Sequence, residues 1–135
     1  MRRLSDDEKA KGRDALNREA LEQDLTRLGD QPWLARVVNN TGVFLQALGR
    51  PAEAVVSYHR AAALYMESRE RPYACSSLLN CVDCLLNEGK TVEASAVMGK
   101  VDEMLKELDL PPEWLLREVE EQVTRLAGVT QQGTG

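Results

Sequence analysis

Residues Pro32 to Leu64 read PWLARVVNNTGVFLQALGRPAEAVVSYHRAAAL, and Pro72 to Met104 read PYACSSLLNCVDCLLNEGKTVEASAVMGKVDEM. Laid over one another, Pro32 meets Pro72, Trp33 meets Tyr73, Asn40 meets Asn80, Leu45 meets Leu85, Gly49 meets Gly89 and Glu53-Ala54 meets Glu93-Ala94, all at an offset of 40. A constant period of this size marks stacked supersecondary units, each too small to bury its own apolar face and each covered by the next. Such arrays present extended surfaces, so the doubled stretch points to binding as the class of function.

Within each copy the punctuation separates two helices. Pro32 suits an opening helical turn, where its missing amide proton costs nothing, and Leu48-Gly49-Arg50-Pro51 makes a stop followed at once by a new start. The expected helices run from about Pro32 to Leu48, from about Pro51 to Ser68, from about Pro72 to Asn87 and from about Thr91 to Leu108. Upstream, Ser5-Asp6-Asp7-Glu8 forms a capping box for a helix extending to about Leu28, with Leu16, Leu21, Leu25 and Leu28 as its apolar stripe. That helix is either a plain cap or the second half of a degenerate unit, because Gly12-Arg13-Asp14-Ala15 echoes Gly49-Arg50-Pro51-Ala52. Downstream, Pro112 lies 40 residues after Pro72 and opens a sixth helix whose apolar stripe is Leu115, Leu116, Val119, Val123 and Leu126. Its Glu118, Glu120, Glu121, Gln122 and Arg125 are expected to face water as an end cap. The expected organisation is therefore a helix in 1–31, units at 32–71 and 72–111, a capping helix at 112–128 and a disordered tail at 129–135.

Composition agrees with an all-α chain. Of 135 residues, 43% are hydrophobic and only 4% aromatic, with alanine, leucine, valine and glutamate prominent. The net charge of −5 argues against nonspecific nucleic-acid binding, which needs clustered cations to displace counterions from phosphates. Charge is also uneven: residues 31–71 carry 5 basic and 3 acidic side chains, whereas 72–135 carry 5 and 11. No apolar run approaches the ~18 residues that cross a bilayer, so no membrane role and a cytoplasmic location are expected. Three cysteines, Cys75, Cys81 and Cys84, fall inside predicted helix, which suits reduced thiols.

The two copies resemble tetratricopeptide repeats. That family's W-x2-L-G-x2-Y and A-x3-F pattern is met by Val38-x2-Thr41-Gly42-x2-Leu45 with Ala54-x3-Tyr58, and by Leu78-x2-Cys81-Val82-x2-Leu85 with Ala94-x3-Met98. Val38 and Leu78 stand where the family has tryptophan, and Val82 where it has glycine, which suggests looser packing in the second copy. The period of 40 exceeds the family's usual ~34, with the surplus near Met66 to Arg71 and Leu105 to Pro111, as longer second helices would give. The resemblance implies a right-handed array of antiparallel helix hairpins, a TPR-like α-solenoid of about six helices. In it the first helix of each unit lines a concave groove that holds a peptide or helix of a partner protein.

Carried over residue by residue, that groove would comprise Arg36, Asn39, Asn40, Val43 and Gln46 from the first copy, and Ser76, Leu79, Asn80, Asp83 and Asn87 from the second. Asn40 and Asn80 are the sharpest candidates, because a carboxamide both donates and accepts and can pair with a peptide backbone. The competing role is a hydrogen bond between neighbouring helices that fixes their stacking. A carboxylate clamp needs several groove-facing cations, and only Arg36 is well placed for one. Adaptor or chaperone is the leading expectation, with self-assembly through repeat ends or grooves as the alternative.

Other chemistry is weakly supported. Cys81-Val82-Asp83-Cys84 has C-x-x-C spacing, but zinc needs about four ligands and redox motifs of this kind accompany a βαβ unit, so buried structural thiols are expected. His59, the single histidine, is expected on the convex side facing solvent, with no partner constellation for catalysis. Neither cofactor nor metal nor enzymatic activity is expected. Trp33 and Trp114 follow prolines in first helical turns, either plugging gaps between units or, if exposed, marking an interface.

Overall fold

A computed structural model describes residues 5–6, 17–24, 26 and 29–134, with side chains as far as 129. Among the described residues all regular structure is helical. After a helical stretch at 17–24 come α1 (Gln31–Ala47), α2 (Pro51–Glu67), α3 (Arg71–Asn87), α4 (Thr91–Lys106) and α5 (Glu113–Thr134). Most of the capping box, the leucines at 16, 25 and 28, and the Gly12 echo lie outside the described residues.

Backbone chemistry sets the helix ends. Asp30 caps α1 by accepting from the amide of Trp33 at 3.3 Å, and prolines occupy the first turns of α1, α2 and α3, where no intrahelical acceptor awaits their nitrogen. Between α1 and α2 the amide of Gly49 bonds Gln46 O at 3.1 Å and that of Arg50 bonds Leu45 O at 2.9 Å, a Schellman closure. The same pair of bonds closes α2 through Arg69 and Glu70, and α3 through Gly89 and Lys90. Each of these three closures places its first residue, Gly49, Arg69 or Gly89, at positive φ, and Gly29 shares that conformation, so the four positions are spaced by 20. The sequence period of 40 is thus two equal helix-and-turn steps. Both helices of the first hairpin have 17 residues, so the second helix is not the longer one and the surplus over the usual unit is shared.

Arg69 is the exception in this series, the one non-glycine residue at positive φ among those described (φ 61°). A Cβ there costs about 1–2 kcal/mol relative to an ordinary backbone conformation. Arg69→Gly is therefore expected to stabilise the fold by about 1 kcal/mol, and Gly49→Ala, which meets no atom within 4 Å but strains the same conformation, to destabilise it by a similar amount. Urea unfolding midpoints of the two variants check the opposite signs.

Packing follows the chain. Each helix lies against the next from α1 to α5, while α3 also touches α1 and α5, so the first helices of successive hairpins share one face. The main core gathers Ala54, Tyr58, Tyr65, Leu78, Leu85, Ala94, Met98, Val101 and Leu115 with all three cysteines. A smaller cluster of Leu34, Val38 and Ala61 sits at the α1–α2 end. In both copies the alanine of the repeated Glu-Ala pair is fully buried and the glutamate exposed, which lets the two helices of a hairpin approach closely.

At Gly42 a Cβ would sit 2.6 Å from the ring of Tyr58. In the second copy the same two places hold Val82 and Met98, both buried in the core. A flexible thioether thus stands where the first copy has the rigid ring, and the branched side chain where it has glycine.

One expectation for the last helix is corrected. Leu115 is fully buried, but Leu116 and Val123 are exposed, and Gln122 occupies the inward position between Val119 and Leu126. Inward residues thus recur as 115, 119, 122 and 126, a helical stripe one step out of phase with the expected one. Helical backbone is described as far as Thr134.

Candidate functional site

Of the residues expected from the sequence to line a groove, eight border two clefts between α1 and α3, and Ser76 and Leu79 border neither. Arg36, Asn40 and Val43 are exposed on α1, with Asn39 and Gln46 half-buried beside them. On α3, Ser76, Asn80 and Asp83 are half-buried and Asn87 is exposed. Leu79 departs from the set: at 2% exposure it belongs to the core, because α3 is the central helix with neighbours on both sides.

Between α1 and α3 the carboxamides form a bridge. Asn80 Nδ2 donates to Asn39 Oδ1 at 3.2 Å, and Ser77 Oγ donates to the same oxygen at 2.9 Å. Asn80 thus makes a bond between neighbouring helices, one of its two expected roles, with Asn39 rather than Asn40 as partner. Asn40 stays exposed.

Two clefts flank this bridge. One, of about 580 Å³, is lined by Val43, Gln46, Tyr58, Asn80, Asp83, Asn87 and Glu88. Its floor is a polar network in which Tyr58 donates to Gln46 Oε1 at 2.9 Å and Gln46 Nε2 donates to Asp83 Oδ2 at 3.2 Å. Arg125 of α5 closes the network, pairing with Asp83 and donating to Asn87 Oδ1 at 2.8 Å and to Gln122 Oε1 at 3.3 Å. Burial, with Cys84, Asp83 and Cys81 adding to it, pushes the Tyr58 hydroxyl far above its ordinary range, so it remains a donor at any physiological pH. Further along α3, Ser76 donates to Glu118 at 2.9 Å. Glu118, Gln122 and Arg125 are therefore not an outward cap surface but the polar seam that seats α5 on α3.

The second cleft, of about 510 Å³, is lined by Pro32, Trp33, Arg36, Asn39, Asn40, Tyr65, Glu70 and Tyr73. Trp33, Tyr73 and Trp114 occupy first turns of α1, α3 and α5 and are 54%, 50% and 38% exposed, so Trp33 stands largely in the open and Trp114 is the more covered of the two tryptophans. Tyr65 and Tyr73 stand 5.6 Å apart, Tyr73 and Trp114 stack at 5.5 Å, and the Arg36 guanidinium lies 5.2 Å over the Trp33 ring. The Pro32-Trp33 and Pro72-Tyr73 dipeptides, 40 residues apart, were a visible sign of two of these rings, whereas nothing in the sequence showed which way the rings would turn. Arg125 and Tyr58 were missed because their partners lie 42 and 12 residues away.

The thiols and the histidine form a separate group. Cys75, Cys81 and Cys84 are free and buried. His59 does not face solvent as expected: it is half-buried, with Nε2 3.5 Å from Cys81 Sγ. Burial pushes the Cys81 thiol up to about 12 and, with Lys100, lowers His59. The pair thus rests as neutral thiol and neutral imidazole, opposite to the thiolate and imidazolium that nucleophilic cysteine chemistry uses. Among the described residues no three metal-ligating side chains are disposed to hold an ion, and no helix is long and apolar enough to cross a membrane.

No protein-family model matches the chain, and no curated protein does.

Proposed function

We propose that the chain is a TPR-like, right-handed helical array that works in the cytoplasm as an adaptor or chaperone and holds a peptide or helix of a partner protein against α1, α3 and α5. The observation that carries this reading is the row of exposed aromatic side chains at Trp33, Tyr73 and Trp114 on the face that also presents Asn40 and Val43. Large amphipathic rings held at the surface by rigid helices give contact area at low entropic cost, as binding hot spots do. Nothing in the reading calls for a cofactor or a catalytic step.

A second reading, self-assembly, draws support from Leu116 and Val123, two exposed apolar residues separated by two helical turns on α5. One cross-linking experiment tests both. A photoreactive residue at Val43 is expected to capture a partner in cells, while the same residue at the exposed Val56 of α2 captures little. Equal capture from Val56 would overturn the groove reading, and a cross-linked dimer obtained only from Val123 would favour self-assembly.

A further inference from the structure

We propose that the aromatic cleft between α1 and α3 recognises a proline-rich segment in the polyproline II conformation, an inference that rests on the binding reading above and names its ligand chemistry. A polyproline II strand offers flat pyrrolidine rings and backbone carbonyls with no internal hydrogen bonds, so its receptor must supply aromatic walls and fixed donors, and little net charge. The cleft has each of these. Trp33 and Tyr73 are exposed walls and the buried Tyr65 is the floor. Tyr65 and Tyr73 stand 5.6 Å apart in the cleft, and Trp114, stacked 5.5 Å from Tyr73, continues the aromatic edge just outside it.

The donor is Asn39. Its Oδ1 accepts from both Ser77 and Asn80, which fixes the amide plane and leaves Nδ2 without an acceptor among the described residues. Charge is balanced: Arg36 and Glu70 both line the cleft and act on the Tyr65 hydroxyl with opposite signs, so an uncharged strand fits better than an acidic or a basic one. In a chain with 6 aromatic residues, Trp33, Tyr65, Tyr73 and Trp114 lie on this one edge.

The test uses the full chain and a fluorescent peptide of about ten prolines, roughly three polyproline turns, with a glycine-serine peptide of equal length as control. Saturable binding at least about tenfold tighter than the control is expected in fluorescence anisotropy. Asn39→Asp keeps the oxygen that Ser77 and Asn80 need but replaces the donor by a second acceptor, and is expected to weaken binding about tenfold or more. Trp33→Ala, at an exposed position that a folded chain tolerates, is expected to do the same, and Val56→Ala to change nothing. Oligoproline binding no tighter than the control, or undiminished in both Asn39→Asp and Trp33→Ala, would overturn the inference. If that happens while Val43 still cross-links a partner, the polyproline assignment alone is lost and the groove reading stands.

Discussion

Gly42→Val is expected to destabilise the protein by about 2–3 kcal/mol and to be substantially rescued by Tyr58→Met in the same chain. The cost arises because the first added carbon would lie 2.6 Å from Tyr58 Cε1, 2.8 Å from Cδ1 and 3.1 Å from Cζ. The ring cannot swing away, being 1% exposed and tied through its hydroxyl to Gln46, which is itself bonded to Asp83. Overpacking of a filled core costs ~1–3 kcal/mol, and breaking the Tyr58 hydrogen bond adds ~1, while removing a glycine from a helix interior returns ~0.5–1. Steric cost wins. The rescue copies what the second copy already does with Val82 and Met98 at the same two places. Urea unfolding of the wild type, both single variants and the pair forms a double-mutant cycle. A pair no more stable than Gly42→Val alone would show that ring contact is not the origin of the loss.

Leu115→Ala is expected to cost about 3 kcal/mol and to release α5 while α1 to α4 keep their amide protection in hydrogen exchange. Among the described side chains of α5, Leu115 is the one at 0% exposure. The other fastenings of α5 are more exposed: Val119 and Leu126 are only partly buried against the core, Trp114 stacks on Tyr73 while 38% exposed, and the side chains of Asp83 and Arg125 are 37% and 35% exposed, so solvent screening limits that pair to about 1 kcal/mol. Arg125→Ala should accordingly cost about a third as much as Leu115→Ala. If the two variants lose equal stability, the polar seam rather than the leucine anchors the helix.

Helix boundaries and the hairpin repeat were legible in the sequence because proline and glycine act locally. Pro51 can only open a helix and Gly49 readily takes positive φ, so the α1–α2 turn could be placed from four residues. The phase of α5 was not legible. Leu115-Leu116 and Val119 to Val123 allow two apolar stripes one step apart, and the choice fell to Gln122 and Arg125, whose partners sit on α3. The candidate site was half legible for the same reason. Arg36, Asn40 and Val43 share one register on α1 and all three are exposed, but whether a carboxamide meets water or a neighbouring helix depends on distances between helices, which no spacing along one helix contains. The Asn80–Asn39 bond, the burial of Leu79 and the inward turn of His59 toward Cys81 lie beyond that limit.

The recurrence of one turn geometry at residues 29, 49, 69 and 89 limits how such a chain can change its length. Inserting one amino acid into a helix rotates everything beyond it by about 100°, carrying aromatic edge and buried stripe to the wrong side. Duplicating a whole hairpin leaves every later helix facing as before and adds one more rung to the row of first-turn rings. Lineages of this protein should therefore differ by whole hairpins, a lengthened member keeping every contact between helices that the shorter one already makes.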